Sequence, residues 1–284
     1  SCHAKGKDKA KHVVFIGLDG WGAYSLPKAD MPNVKKLMED GAYTLKKRSA
    51  LPSSSAINWA SMFMGAGPEL HGYTEWGSKT PELPSRVLNK NGIFPTVFQL
   101  LRDARPEAEI GCLYEWEGIK YVVDTLSLNY HYHVADCNKT PKELGNMASA
   151  YIKEKHPALV AICYDGPDHT GHTEGHDTPA YYEKLKELDI YVGQIVQAVK
   201  DAGILDDTIF ILTSDHGGID KGHGGKTMQE METAFIISGK NIKKGLRFDD
   251  VSMMQYDVAS TIASIFNLEQ PQVWIGRPMK MVFK

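Results

Sequence analysis

Asp19 closes the run "VVFIGLDG", Asp165, Asp168 and His172 follow "LVAICY", and Asp215 and His216 follow "IFILTS". His223 stands in the glycine-rich stretch "GGIDKGHGG". Carboxylates mixed with imidazoles form a hard-to-borderline donor set suited to a divalent cation. A carboxylate buried at a strand end needs a compensating partner, and such a cation is an efficient one. Taken singly, "DG" after a strand reads as a turn, and "DHGG" reads equally as a helix-capping turn. "DHTGH" is more specific, because Asp168 and His172 flank a glycine that lets the loop fold around an ion. His131 and His133 alternate as on a strand face and read as a wall or core edge. His169 and His176 read as supporting or solvent-facing neighbours of the cluster. His3 and His156 read as surface residues.

A second stretch offers a nucleophile. "ALPSSSAINWASMFMGAGPELHG" at 50–72 sets three serines before an expected helix start. Ser, Ser, Ser in that place can be a capping cluster and nothing more. A hydroxyl at a helix N-terminus nevertheless sits where the helix dipole and free N–H groups favour an alkoxide and a bound phosphate.

These residues need a scaffold that brings distant loops to one edge. Three apolar, β-branched runs begin near His12, Leu159 and Thr208, and each ends in Asp followed closely by Gly. Fully apolar strands belong to a sheet covered on both faces. Helices are expected between them at 31–40, at 140–155 and at 178–202, with a last one at 255–266. In the second, Thr140 caps, Pro141 opens and Glu143 completes a capping box, and His156-Pro157 stops it. In the third, Tyr181, Leu185, Leu188, Val192, Ile195 and Val199 form one stripe, ended by Gly203. Strand–helix alternation predicts a three-layer α/β/α sandwich with a mostly parallel central sheet. Functional groups in such sheets gather beyond the carboxyl ends of the strands.

The 284 residues, 42% of them hydrophobic, suffice for one large α/β domain over 12–284, with 1–11 as a flexible tether and 73–135 as a small cap. The net charge is −3 with scattered basic residues, which argues against nucleic-acid polymers as partners. No apolar run approaches the roughly 18 residues that span a bilayer. The opening "SCHAKGKDKAKH" reads as the start of a mature lipoprotein with lipid on Cys2, hence a secreted or periplasmic, lipid-anchored protein, or else as an arbitrary start. Cys112, Cys137 and Cys163 lack CxxC spacing, so a cysteine-rich zinc site is not expected. Cys112 and Cys137 can pair in an oxidising compartment, and Cys163 reads as a core thiol.

In order, "LDG" at 18–20, "SAIN" at 55–58, "PELHG" at 68–72, "PDHTGH" at 167–172, "SDHGG" at 214–218 and "GHGG" at 222–225 resemble the alkaline phosphatase superfamily. Within it they are most similar to the type I phosphodiesterase / nucleotide pyrophosphatase branch, over residues 13 to about 266. The resemblance implies Ser55 as the nucleophile, three residues before Asn58, with Asn58 donating to a phosphoryl oxygen. It implies one metal held by Asp168, His172 and His223. A second would be held by Asp19, Asp215 and His216 together with Ser55. Both are expected to be Zn²⁺, with Mn²⁺ as the alternative from the same donors. The implied reaction is hydrolysis of a small phosphate ester or nucleotide through a phospho-Ser55 intermediate. Asp165 is expected to support the loop.

Several features bear on the substrate. The nucleophile is Ser where the branch has Thr, which points toward a phosphomonoesterase or phosphonate hydrolase. No Arg stands near the motifs to clamp a dianion, which points back to a diester. Of the aromatic residues Trp21, Trp59, Tyr73 and Trp76, most are expected in the core, with Tyr73 or Trp76 favoured for the pocket. "ELPSR" at 82–86 echoes a sulfatase pattern, but Glu82 occupies the position that must become formylglycine. A catalytically silent metal-binding protein is the reading from another class.

Overall fold

The computed structural model describes residues 6–134 and 141–284. The lipid expected on Cys2, the pairing of Cys137 and the cap at Thr140 lie outside the described residues. Cys112 and Cys163 are buried free thiols.

Strands are β1 (His12–Leu18), β2 (Gly41–Arg48), β3 (Ile110–Tyr114), β4 (Tyr130–His133), β5 (Leu159–Tyr164), β6 (Thr208–Thr213), β7 (Glu232–Gly239), β8 (Leu246–Arg247) and β9 (Met253–Met254). Helices are α1 (Pro32–Glu39), α2 (Ser55–Met64), α3 (Pro68–His71), α4 (Val97–Ala104), α5 (Pro141–Lys155), α6 (Asp168–Glu174), α7 (Pro179–Asp201), α8 (Met228–Met231) and α9 (Asp257–Ile265). The sheet order is β4-β3-β5-β1-β6-β7-β2-β8, with β9 also on β2. From β4 to β6 all neighbours are parallel; β7 runs antiparallel to both β6 and β2.

Strand alternation splits the core between the two faces. Val13 and Phe15 of β1 join Trp59, Phe63 and Phe98 of α2 and α4 and Ile262 of α9. Val14, Ile16 and Leu18 join Val34 of α1, Leu144 and Ile152 of α5, and the α7 stripe of Tyr181, Leu185, Leu188, Val192, Ile195 and Val199. The result is the expected three-layer α/β/α sandwich, in which apolar strands are buried on both sides. Thr178 caps α7 by accepting from the Tyr181 N–H, and Gly203 follows it at φ +74°.

Two expected boundaries shift. From Lys9 onward the N-terminal segment is docked: Lys9 N–H donates to Ile265 O at 2.7 Å, Lys11 N–H to Asp207 O at 3.0 Å, and Ala10 is buried. Residues 73–135 do not form a separate cap, because β3 and β4 within them extend the central sheet and α4 packs on its face. The turn-rich composition that prompted the cap belongs to 73–96, a loop layer over α2 and α3.

Candidate active site

The central strand β1 lies between β5 and β6, so their three carboxyl ends meet at the point where successive connections diverge to opposite sides of the sheet. Asp19 follows β1. Its carbonyl accepts the Asp168 N–H at 2.9 Å, which sets α6 against the end of β1. Gly20, at φ +73°, makes this approach feasible: a Cβ there would lie 2.7 Å from the Asp168 side chain. Asp215 follows β6, and its Oδ1 accepts from Gly20 N–H at 3.1 Å and His216 N–H at 3.0 Å. Its second oxygen is thereby aimed toward the cluster.

Ser55 opens α2, with Ser54 at the N-cap position. Ser55 Oγ lies 3.2 Å from His216 Nε2 and 3.3 Å from Asp19 Oδ2. His216 Nε2 is 3.2 Å from both Asp19 Oδ1 and Asp215 Oδ2, and its Nδ1 bonds Gly217 O at 2.6 Å. Beside this group, His172 Nε2 is 3.1 Å from Asp168 Oδ2 and His223 Nε2 is 3.6 Å from Asp168 Oδ1. The rings of His216 and His223 stack at 3.7 Å. Donor atoms of Asp168, His172 and His223 lie within 4.8 Å of one another, as do those of Asp19, Asp168 and His216.

The donor set fits cations on an independent observation. Asp19 Oδ1, Asp168 Oδ1 and Asp215 Oδ2 are buried without a hydrogen-bond partner, a costly state that a bound ion relieves. Burial, then the charge of Asp168, raises the Asp19 carboxyl; burial, then the charge of Asp19, raises Asp215. Burial works against the ionised Asp168, but His172 and His176, with the charge of His216 and His223, outweigh it and hold it low. The Asp168 bond pushes His172 up to about 9, whereas burial and the neighbouring His216 bring His223 down to about 4.

Asn58 is a correction. It is fully buried and its amide is spent on the turn before α2, donating to Ser54 O at 2.9 Å, Ala50 O at 3.1 Å and Pro52 O at 3.2 Å. Its Oδ1 accepts the Ala50 N–H at 2.7 Å. The helix start doubles back over residues 50–54, and their peptide groups claim the side chain that was expected to face phosphate. Asn58 therefore positions the Ser54–Ser55 turn. Ala56 N–H is likewise engaged, on Trp76 O at 3.1 Å.

Several supports escaped sequence reasoning. Trp59 is core, as expected for most tryptophans, yet its Nε1–H donates to Asp19 Oδ2 at 3.1 Å. Ser53 accepts the Gly224 N–H at 3.0 Å and donates to Gly225 O at 2.8 Å, tying the His223 loop to the nucleophile turn. His176, already expected as a supporting or solvent-facing neighbour, is buried and approaches Asp168 Oδ1 at 3.6 Å. Lys47 is fully buried and donates to Ser214 O at 2.9 Å and to Gln255 Oε1; Gln255 in turn donates to Asp215 O at 2.6 Å. Burial brings the Lys47 ammonium down to about 7. Tyr73 is buried with its hydroxyl on Tyr121 O, so of the two aromatic residues favoured for the pocket only Trp76 lines it. The cavity, about 430 Å³, is lined by Asp19, Ser55, Asp168, His172 and His223 together with Trp76, Trp116 and Asp165.

Several known proteins are similar to this chain. Murine bis(5'-adenosyl)-triphosphatase enpp4 is 26% identical over 73% of this chain, and the chain spans about half (47%) of that protein's length. GPI ethanolamine phosphate transferase 3 of Schizosaccharomyces pombe is 29% identical over 42% of the chain and 13% of its own length. Murine ectonucleotide pyrophosphatase / phosphodiesterase 5, in an inactive form with AMP, superposes with a TM-score of 0.73 at 14% identity, covering 94% of this chain and 96% of that one. A 2-O GAG sulfatase superposes at 0.76 and 14% identity over 95% of this chain and 73% of its own. The profile of the type I phosphodiesterase / nucleotide pyrophosphatase family matches residues 13–235, and the chain belongs to that family.

Proposed function

We propose that the protein hydrolyses phosphodiesters, with Ser55 as nucleophile beside two divalent ions. Asp168, His172 and His223 would hold one ion; Asp19, Asp215 and His216 would hold the other, in contact with Ser55. The His and carboxylate donors suit Zn²⁺ first and Mn²⁺ second. Ions bound there supply charge that favours the Ser55 alkoxide and offsets charge on the phosphoryl oxygens. Ser55 Oγ gives up its proton and attacks phosphorus, and an alcohol departs. Water then cleaves phospho-Ser55 and the serine regains a proton. The α2 N-terminus points its dipole at the reacting oxygen, while Asn58 keeps the turn in place.

The observation that carries this reading is Ser55 Oγ, 3.2 Å from His216 Nε2 and 3.3 Å from Asp19 Oδ2, among three carboxylate oxygens that lack hydrogen-bond partners. A monoesterase on the same scaffold has the serine in its favour. Against it, no Arg or Lys among the described residues lines the cavity to meet a dianion. Hydrolysis of bis(p-nitrophenyl) phosphate and of p-nitrophenyl phosphate, by the wild type and Ser55→Ala, is the test. The diester should be preferred, and Ser55→Ala should lower its turnover by a factor on the order of 10³ or more. Unchanged turnover in that variant would refute the nucleophile assignment.

A further inference from the structure

One buried amide, that of Gln255, touches both the Asp215 peptide and the side chain that fixes the Ser55 turn. Lys47, Ser49, Asn58, Ser214, Asp215 and Gln255 are all fully buried, so their polar atoms must find partners within the protein. The register shift in β2 after Thr44 turns Lys47 inward. β9 pairs in parallel beside it, with Met253 opposite Lys47 and Met254 opposite Arg48. Gln255 comes next and is anchored by its own N–H, which donates to Arg48 O at 3.0 Å.

The neighbours dictate which way the Gln255 amide points. Lys47 Nζ donates to Ser214 O at 2.9 Å and to Gln255 Oε1. An ammonium group has hydrogens to give and no lone pair, so the oxygen end of the amide faces it. The Nε2 end then faces two acceptors. It donates to Asp215 O at 2.6 Å and lies 3.4 Å from Asn58 Oδ1, whose shorter bond is with the Ala50 N–H at 2.7 Å. A flipped amide would set oxygen against oxygen at Asp215 and N–H against ammonium at Lys47. Asp215 Oδ1 is already held by the Gly20 and His216 N–H groups, so a fixed carbonyl leaves Oδ2 directed at His216 Nε2, 3.2 Å away.

We infer that Gln255, oriented by Lys47, is a positioning residue that locks the Asp215 peptide to the Ser55 turn and so sets the spacing between nucleophile and ligand. This rests on the phosphodiesterase reading and deepens it. Lys47 and Gln255 act through Asp215 and Asn58, so their loss misaligns Ser55 for attack and costs rate more than substrate binding. A displacement of about 1 Å is enough to cost on the order of 10²-fold.

Turnover of bis(p-nitrophenyl) phosphate by the metal-saturated protein tests this, with melting temperature and ion content measured for each variant. Gln255→Glu keeps the shape and an oxygen for Lys47, but sets a carboxylate oxygen where Asp215 O needs a donor. It should lower kcat by about 10- to 100-fold with KM within about twofold. Lys47→Met should lower kcat in the same range, because nothing then orients the amide. The double variant Lys47→Met/Gln255→Leu separates positioning from stability. Its melting temperature should exceed that of Lys47→Met, whose Gln255 Oε1 is left without its partner, while kcat stays as low. In a merely structural network kcat would recover along with the melting temperature. Such recovery, a kcat within about twofold of wild type in either single variant, a loss that added metal reverses, or failure of the double variant to fold would overturn the positioning role and leave the diesterase reading standing. Absence of diester turnover by the wild type would overturn both.

Discussion

The two halves of the donor cluster are built differently. Asp19, Asp215 and His216 have side chains 4%, 0% and 0% exposed and sit directly on the ends of β1 and β6. Asp168, His172 and His223 come from a short helix and a glycine-rich loop, and His172 is 45% exposed. The buried half is held at both ends of Asp215: the Gly20 and His216 N–H groups donate to its Oδ1, and the Gln255 side-chain amide and Ser49 hydroxyl donate to its carbonyl oxygen. The loop half leans on fewer fixed points, chiefly Lys221 O to His172 Nδ1 at 2.9 Å and Ser53 O to His223 Nδ1 at 2.9 Å. If two ions bind as proposed, a buried half beside Ser55 and a more accessible half facing solvent would suit one ion that stays and one that exchanges.

The largest expected effect separates the halves by mutation. Asp215→Ala should abolish turnover by about 10³-fold or more and remove one ion that added metal does not restore. His172→Ala should cost about 10²-fold and recover as metal concentration rises. Kinetics combined with metal analysis decide it; equal, equally rescuable losses would erase the distinction.

Next comes metal removal. With ligands that neutralise one another only in part, the ion-free protein should melt roughly 10 °C lower than the loaded one by calorimetry. The ion-free Asp19 and Asp215 carboxyls are raised by burial, and His172 is raised to about 9 by Asp168. Cations need the deprotonated forms, so binding releases protons and affinity climbs as pH rises. Titration calorimetry in buffers of differing ionisation enthalpy should register that release, and zero release would contradict it.

Asn58→Ala sharpens the role of the nucleophile turn. Loss of the amide strips partners from buried carbonyls and should destabilise the fold by about 2 kcal/mol in urea melts while lowering kcat. Impaired turnover at unchanged stability would instead mark a direct contact with phosphate.

The smallest effect concerns Glu115, next in the chain to the cavity-lining Trp116. Burial pushes the Glu115 carboxyl from 4.5 up to about 8. Its folded pKa is raised, so the stability it contributes is fully present below pH 4.5 and is lost as pH climbs toward 8. Glu115→Gln should flatten that decline by about 5 °C in melting temperature. An unchanged slope would place the titration elsewhere.

Much of this was legible along the chain. Apolar runs ending in Asp and Gly predict buried parallel strands, and the α7 stripe predicts its inward face, because both periodicities are local consequences of backbone geometry. That Asp19, Asp168, Asp215 and His216 would lie near one edge of the sheet was legible for the same reason, since each follows a strand whose end is marked. Asn58 was misread because one helical turn of spacing says which side a residue faces but not which backbone carbonyls already crowd there. The cap was misread because turn-rich composition hid two short strands whose partners lie far away in sequence.

Residue order and periodicity by themselves determined the layers, the order of the motifs and which loops carry charge. Only the tertiary structure decided how the support is wired. In β2, Ala42 and Thr44 point inward, and strict alternation would bury Lys46 and Arg48. A register shift between Thr44 and Lys47 buries Lys47 instead, behind the Asp215 loop. Such a shift is set by pairing with β7 across the sheet, a long-range match of hydrogen bonds that no local pattern encodes.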